Sequence, residues 1–335
     1  MSGVGGGAEG HEVRGAGDVR GEAGDGGEVR GDGGGPSIRR LDTGLGLAVL
    51  RAGLSRVTLV TYTRDHVAVR TPSRPDYHDG NTLDLTAVPA PGDLDGYLAR
   101  YQETVGALGV QHVRLRWEEP LVAGAPPRAP EADPGLAAAA AAHGLELSAV
   151  TVLLLGALGD RVAGEVAAFA PVPAPDDDVG GAVDRRWHAS TVLYRYAAGD
   201  TPDEWRGDDG GFTAWSVEQQ RELARVGRCR VWVATRHSIP VARCTLLHDR
   251  QGLAVVEDVV THPAHRGRGI ASGLVHAAVG DHLDTDPGAR VGVAAAPGPA
   301  GEVLYRRLGF QPHATVWTAH RATPLARPTT RPPGA

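Results

Sequence analysis

The stretch Val255-Val256-Glu257-Asp258-Val259-Val260-Thr261-His262-Pro263-Ala264-His265-Arg266-Gly267-Arg268-Gly269-Ile270-Ala271-Ser272-Gly273 leaves its backbone few options. Its β-branched start reads as a strand over Leu253 to Thr261, its glycines as a tight turn, and the apolar spacing after them as a helix over Gly269 to Leu283. A strand that turns over glycines into a helix gathers backbone N–H groups at the positive end of the helix dipole. Such a junction is a cradle for pyrophosphate. Gly267 and Gly269 permit close backbone approach, and Arg266 and Arg268 add charge-assisted contacts to phosphate oxygens. A plain Gly-rich turn is the bland alternative, and the flanking arginines, strand and helix weigh against it.

Composition narrows the chemistry. All 34 basic residues are arginine, which removes a P-loop lysine and Schiff-base catalysis. Two cysteines, Cys229 and Cys244, exclude a disulfide framework and a cysteine zinc site, and sit on neighbouring strands as small hydrophobes. The fourteen His show no metal-ligand spacing, so no metal is expected. A net charge of -6 gives no footprint for nucleic acid. No apolar run approaches a membrane span and no leader pattern opens the chain, so a cytoplasmic protein without membrane contact is expected, as monomer or homodimer.

The 335 residues divide by pattern. Residues 1–37 form a Gly-rich, acidic, imperfectly repeated tail that cannot bury enough surface to order itself. Residues 38–160 read as an α/β domain without a cofactor motif. It has strands at Leu45 to Leu50, Arg56 to Thr61 and His66 to Arg70, and a loop from Pro72 to Asn81. A helix at Asp93 to Ala107, a strand at Val110 to Trp117, a Pro-rich loop, an Ala-rich helix ending at Gly144 and a strand at Leu147 to Leu155 follow. Residues 161–322 read as a second domain. It has a strand at Val162 to Phe169, a helical region at Asp177 to Tyr196 and a helix at Ser216 to Val226. Strands at Cys229 to Ala234, Val241 to Leu247 and Leu253 to Thr261 lead into the glycine turn and its helix. A strand at Arg290 to Ala295, a helix at Ala300 to Leu308 and a strand at Ala314 to Ala319 complete it. Residues 323–335 form a Pro-rich tail. The echo of Ala142-His143-Gly144-Leu145-Glu146 in Arg307-Leu308-Gly309-Phe310-Gln311 fits a duplication, and it equally fits any helix-to-strand joint with a Gly cap.

Arg266-x-x-Gly269-x-Ala271 resembles the Arg/Gln-x-x-Gly-x-Gly/Ala signature of the GCN5-related N-acetyltransferase (GNAT) superfamily, and Leu304-Tyr305-Arg306-Arg307-Leu308-Gly309-Phe310 resembles its Leu-Tyr-x-x-Leu-Gly-Phe segment. The resemblance covers residues 161–322. It implies a mixed-sheet acyl-CoA N-acyltransferase fold and transfer of acetyl from acetyl-CoA to a primary amine of a small molecule or peptide. It implies that Arg266, Gly267, Arg268, Gly269, Ile270, Ala271 and Ser272 wrap the pyrophosphate and that main-chain groups of Val259, Val260 and Thr261 pair with the pantetheine arm. It implies that Tyr305 protonates the departing thiolate. Pro297-Gly298-Pro299 stands where many members carry an Asn, which removes one cofactor hydrogen bond. The N-terminal domain would be a degenerate relative without a cradle, giving one cofactor site per chain.

An ammonium has no lone pair, so the reaction needs a group to take its proton. Glu257 is the first candidate and Asp258 the second. Strand alternation puts them on opposite faces, with Glu257 sharing its face with Val259 and Thr261. The structural alternative is a strand carboxylate satisfied by a nearby Arg. For the acceptor, Asp203, Glu204, Asp208 and Asp209 beside Trp205, Phe212 and Trp215 suit a cationic amine through charge pairing and cation–π contact. Gly267-x-Gly269-x-x-x-Gly273 also invites a dinucleotide site, but the next strand ends in Ala294-Ala295-Ala296 with no acid for a ribose. The remaining rival is an acetyl-CoA-binding regulatory module without transfer.

Overall fold

The computed structural model of the chain describes residues 44–121, 132–160, 167–174, 187, 189–193, 211–249, 251–295 and 299–321. The expected tails, the Pro-rich loop, most of Val162 to Phe169 and of Asp177 to Tyr196, the acidic loop with Asp203 to Asp209, and Pro297-Gly298 lie outside them. Residues 40–335 form one compact unit.

Eleven strands join in one mixed sheet, and the last strand of the chain lies in its middle. In chain order the first half runs α1 (Leu45–Arg51), β1 (Leu59–Tyr62), β2 (His66–Arg70), β3 (Thr82–Leu85), α2 (Leu94–Thr104), β4 (Val113–Pro120), α3 (Pro134–Ala142) and β5 (Glu146–Leu155). After β6 (Ala168–Pro171) the second half runs α4 (Phe212–Arg225), β7 (Cys229–Arg236), β8 (Ile239–His248), β9 (Leu253–Thr261), α5 (Ile270–Thr285), β10 (Arg290–Ala295), α6 (Pro299–Arg307) and β11 (Phe310–Arg321). The order across the sheet is β1-β2-β3-β4-β11-β5-β10-β9-β8-β7-β6. Among the described residues only β3/β4 and β9/β10 are parallel pairs.

Both halves thus repeat helix, three antiparallel strands, helix, parallel strand, helix, strand. Each contributes its last strand to the other's edge: β5 pairs β10, and β11 pairs β4. The register at the centre is consistent with a two-fold relation. Val150 faces Val316 and Thr151 faces Thr315, while the left-handed glycines Gly144 and Gly309 align Val150 with Thr315. The sequence echo falls on this helix-to-strand joint, where a Cβ on Gly309 would sit 1.9 Å from the Ala157 carbonyl oxygen. The ladders β5/β10, β11/β4 and β11/β5 each pair strands from either side of residue 160, the boundary expected between domains.

Two expectations fail against tertiary context. Leu45 to Leu50 alternates like a strand, yet it forms helix α1. The Glu118 carboxylate accepts from the Leu47 N–H at 3.1 Å, and buried Leu47 and Val49 pack on Val152, Val255 and Val316. The helix lies close because β10 presents Gly292, where a Cβ would meet Val49 Cγ2 at 2.7 Å. Truncating Leu47 to Ala would cost about 2–5 kcal/mol. Strand β3 was not anticipated; its Asp84 is fully buried and compensated from afar by Arg116 and Arg51. Helices α5 and α6 cover the opposite face from α1, over a core of Val256, Leu274, Val293 and Phe310. Among the described residues no helix is long and apolar enough to cross a membrane.

Candidate active site

Strand β9 outruns its parallel partner. The ladder with β10 ends at Val256 opposite Val293, while β9 continues to Thr261. From Glu257 onward the edge of β9 that faces β10 is therefore unpaired by any strand, and its opposite edge stays bonded to β8 through Val260 and Thr261. An extended chain of amides could complete such an edge.

A bulge sits where the ladder opens. Asp258 takes a left-handed φ of 50°, Glu257 pairs Thr245, and Val260 pairs Arg243, so three steps on β9 match two on β8. This corrects the expected alternation. Leu253 and Val255 pack under α1, and Glu257 continues that face; beyond the bulge Val259 packs with the α5 core instead. Glu257 and Asp258 do not diverge, because the bulge bends Asp258 back toward Thr245 on the Glu257 side.

The two carboxylates differ in their partners. Asp258 Oδ2 accepts from Gln220 Nε2 at 2.7 Å, Thr245 Oγ1 at 3.3 Å and Arg243 at 3.4 Å, with the Arg243 guanidinium buried. That is the arrangement of a satisfied strand carboxylate. Glu257 has no hydrogen bond or ion pair among the described residues. Burial, then the charges of Asp258 and Asp79, push its carboxyl up to about 8. A carboxyl with that affinity for a proton is matched to general-base work near neutrality. Sequence reasoning missed Arg243 and Gln220. A lone Arg amid the apolar run Val241 to Leu247 was the available signal for the first.

After β9 a short 3₁₀ turn (Pro263–His265) leads to Arg266 in extended conformation, then to Gly267 and Gly269 at φ of 73° and 74°. Gly269 is the N-cap of α5 and no side chain caps the helix, so the N–H groups of its first turn point at the junction. A side chain on Gly267 would enter open space, so its left-handed φ, and not crowding, calls for glycine there. Arg266 and Arg268 are exposed, donating to the carbonyls of Thr261 at 3.1 Å and Ala264 at 3.2 Å. Ile270 and Ser272 turn their side chains inward, which leaves their backbone N–H groups for an anion. The residues present fit a pyrophosphate.

Tyr305 stands on α6, buried, its ring 5.8 Å from Phe310 in an edge-on contact. Burial, with the Cys244 thiol nearby, raises its phenol above the ordinary value, so it holds its proton. Phe212 and Trp215 do not offer free aromatic faces. They pack on Tyr77, and the Arg74 guanidinium lies 5.2 Å from the Trp215 ring and 5.9 Å from Phe212.

Residues 227–312 match the family model described as acetyltransferase (GNAT) domain. The whole architecture resembles a conserved protein of unknown function from Staphylococcus epidermidis (TM-score 0.57, 12% identity, 78% of this chain and 93% of that one). It also resembles a GCN5-related N-acetyltransferase from Kribbella flavida (TM-score 0.50, 18% identity, 82% of this chain and 95% of that one). At such identities the likeness is one of fold. No curated protein matches the sequence. The open strand edge, the glycine turn and the glutamate beside them therefore all lie within residues 227–312, the stretch that matches the GNAT acetyltransferase domain.

Proposed function

We propose that the chain is an acetyl-CoA-dependent N-acetyltransferase acting on a primary amine of a small molecule or peptide. The observation that carries this reading is the juxtaposition, at one bulge of β9, of an unpaired strand edge and a half-buried carboxyl without a partner among the described residues. Acetyl-CoA would supply a thioester carbonyl open to attack. The N–H groups of Ile270, Ala271 and Ser272 and the guanidiniums of Arg266 and Arg268 would hold its pyrophosphate, and the β9 backbone at Val259, Val260 and Thr261 its amide arm. Glu257 takes the ammonium proton, directly or through one water, leaving a lone pair for the carbonyl carbon. Tyr305, still protonated, gives its proton to the sulfur as the C–S bond breaks, and the second proton that nitrogen sheds as the amide forms restores the phenol.

Asp258 is read as holding the bulge through Arg243 and Gln220, with the proton transfer left to Glu257. The first half of the chain is a degenerate copy of the same fold that supports the site without a cradle of its own. Since Arg74 lies against the aromatic pair, an incoming cation would be drawn by the carboxylate of Asp79, and by that of Glu257 once it has lost its proton. The test is calorimetric binding of acetyl-CoA followed by thiol release against a panel of amines. Binding with turnover on some basic amine supports transfer, and binding with no turnover on any supports the regulatory module instead.

A further inference from the structure

The first half of the chain comes up against the Glu257 carboxylate at Gly53. Leaving α1, the chain passes through Ala52, Gly53, Leu54 and Ser55. A Cβ on Gly53 would lie 2.8 Å from Glu257 Oε2, 3.2 Å from Oε1 and 3.0 Å from Leu247 Cδ1. Gly53 does not occupy the left-handed region, so it is required here for space and not for backbone freedom. This short segment is tied on both sides. Arg51 donates to Asp84 at 2.6 Å, and Ser55 Oγ donates to Gln219 Oε1 at 2.6 Å, a bond between positions 164 residues apart. Neither tie uses Glu257. The segment is a strap drawn from β3 of the first half to α4 of the second, with its one side-chain-free residue over the carboxylate.

We propose that Gly53 is a positioning residue for the reaction: the strap of residues 52–55 seals one side of the Glu257 carboxylate from water, which makes the first half of the chain part of the catalytic centre. The inference rests on Glu257 as the base proposed above. The other groups around the carboxylate are accounted for. Asp258 on β9 shares its charge with Arg243 on β8, and Asp79 acts from the segment between β2 and β3. Cys229 on β7 is fully buried, its thiol pushed up to about 12 by burial. On α4, Gln219 and Gln220 are engaged by Ser55 and Asp258, and Glu222 pairs with Arg225 and, at 3.8 Å, with Arg56. Arg51 is committed to Asp84. The two aspartates set the repulsion felt by Glu257, while the strap brings no charge and sets only its access to water.

The test is a titration of the Glu257 carboxyl by 13C NMR in the full chain, with the resonance assigned by its absence in Glu257→Gln. Gly53→Ala inserts a methyl between strap and carboxylate, and Ser55→Ala releases the strap from α4. Both are expected to lower the Glu257 midpoint by about one pH unit as water enters, and to move the acid limb of kcat/KM by the same amount. A midpoint that stays at the wild-type value or rises in both variants overturns the proposal, even where thermal stability falls. Should the wild-type chain transfer no acetyl group, the functional reading fails and the NMR titration still decides this inference.

Discussion

The chain leaves β3 for α2 and β9 for α5 at equivalent places in the two halves, and the two junctions have little else in common. Both pass a proline and a 3₁₀ turn before the helix. At the first, Gly92 keeps an ordinary φ, and Asp93, bonded to the Ala90 N–H at 2.9 Å, puts a negative charge at the helix start. At the second, two left-handed glycines and two arginines surround an uncapped N-terminus. The strand carboxylates diverge in the same way. Burial alone would raise Asp84, but Arg116 and Arg51 outweigh it and hold the group below its ordinary value. Among the described residues no cation faces Glu257, and desolvation prevails there. One topology thus supplies two carboxyls, and their neighbours decide which is held as a structural ion and which is left with a raised affinity for its proton.

The comparison can be broken at each point. The largest effect is expected at Glu257→Gln, with turnover falling about 10²–10⁴-fold while acetyl-CoA affinity holds; unchanged steady-state rates would move the base elsewhere. Asp84→Asn removes the charge that compensates the buried Arg116 guanidinium and should cost about 3–5 kcal/mol in urea unfolding, leaving acetyl-CoA affinity alone. Chemistry lost at full stability in that variant would place function in the first half. Arg266→Ala should weaken acetyl-CoA about tenfold by calorimetry, as loss of one charge-assisted contact does. A further effect concerns pH. As pH rises from 4.5 to 8 the unfolded chain releases the Glu257 proton and the folded chain keeps it, so this residue subtracts stability across that window. Glu257→Gln should therefore gain in Tm relative to wild type between those limits, and a constant gap would contradict the burial.

Much of the second half is legible in the sequence because its signals are local. β9 runs Leu253–Thr261 and β10 runs Arg290–Ala295, as the patterning predicts, and the turn geometry follows from Gly267 and Gly269. What escapes sequence reading depends on distant partners. β3 is a four-residue strand whose aspartate needs an arginine 32 positions away. Leu45–Arg51 becomes helical because Glu118 and Gly292 receive it. The bulge that turns Asp258 back needs a left-handed non-glycine residue, which no alternation rule anticipates. The pairing of β5 with β11, and the approach of Gly53 to Glu257, join residues more than 150 positions apart.

The two halves of the doubled fold should differ in acetyl-CoA binding, the second holding it and the first not. Isothermal titration of the full chain with acetyl-CoA separates them. One site per chain is expected, abolished by Gly269→Val and kept in Asp93→Ala. Two sites per chain, or one that survives Gly269→Val, would contradict it.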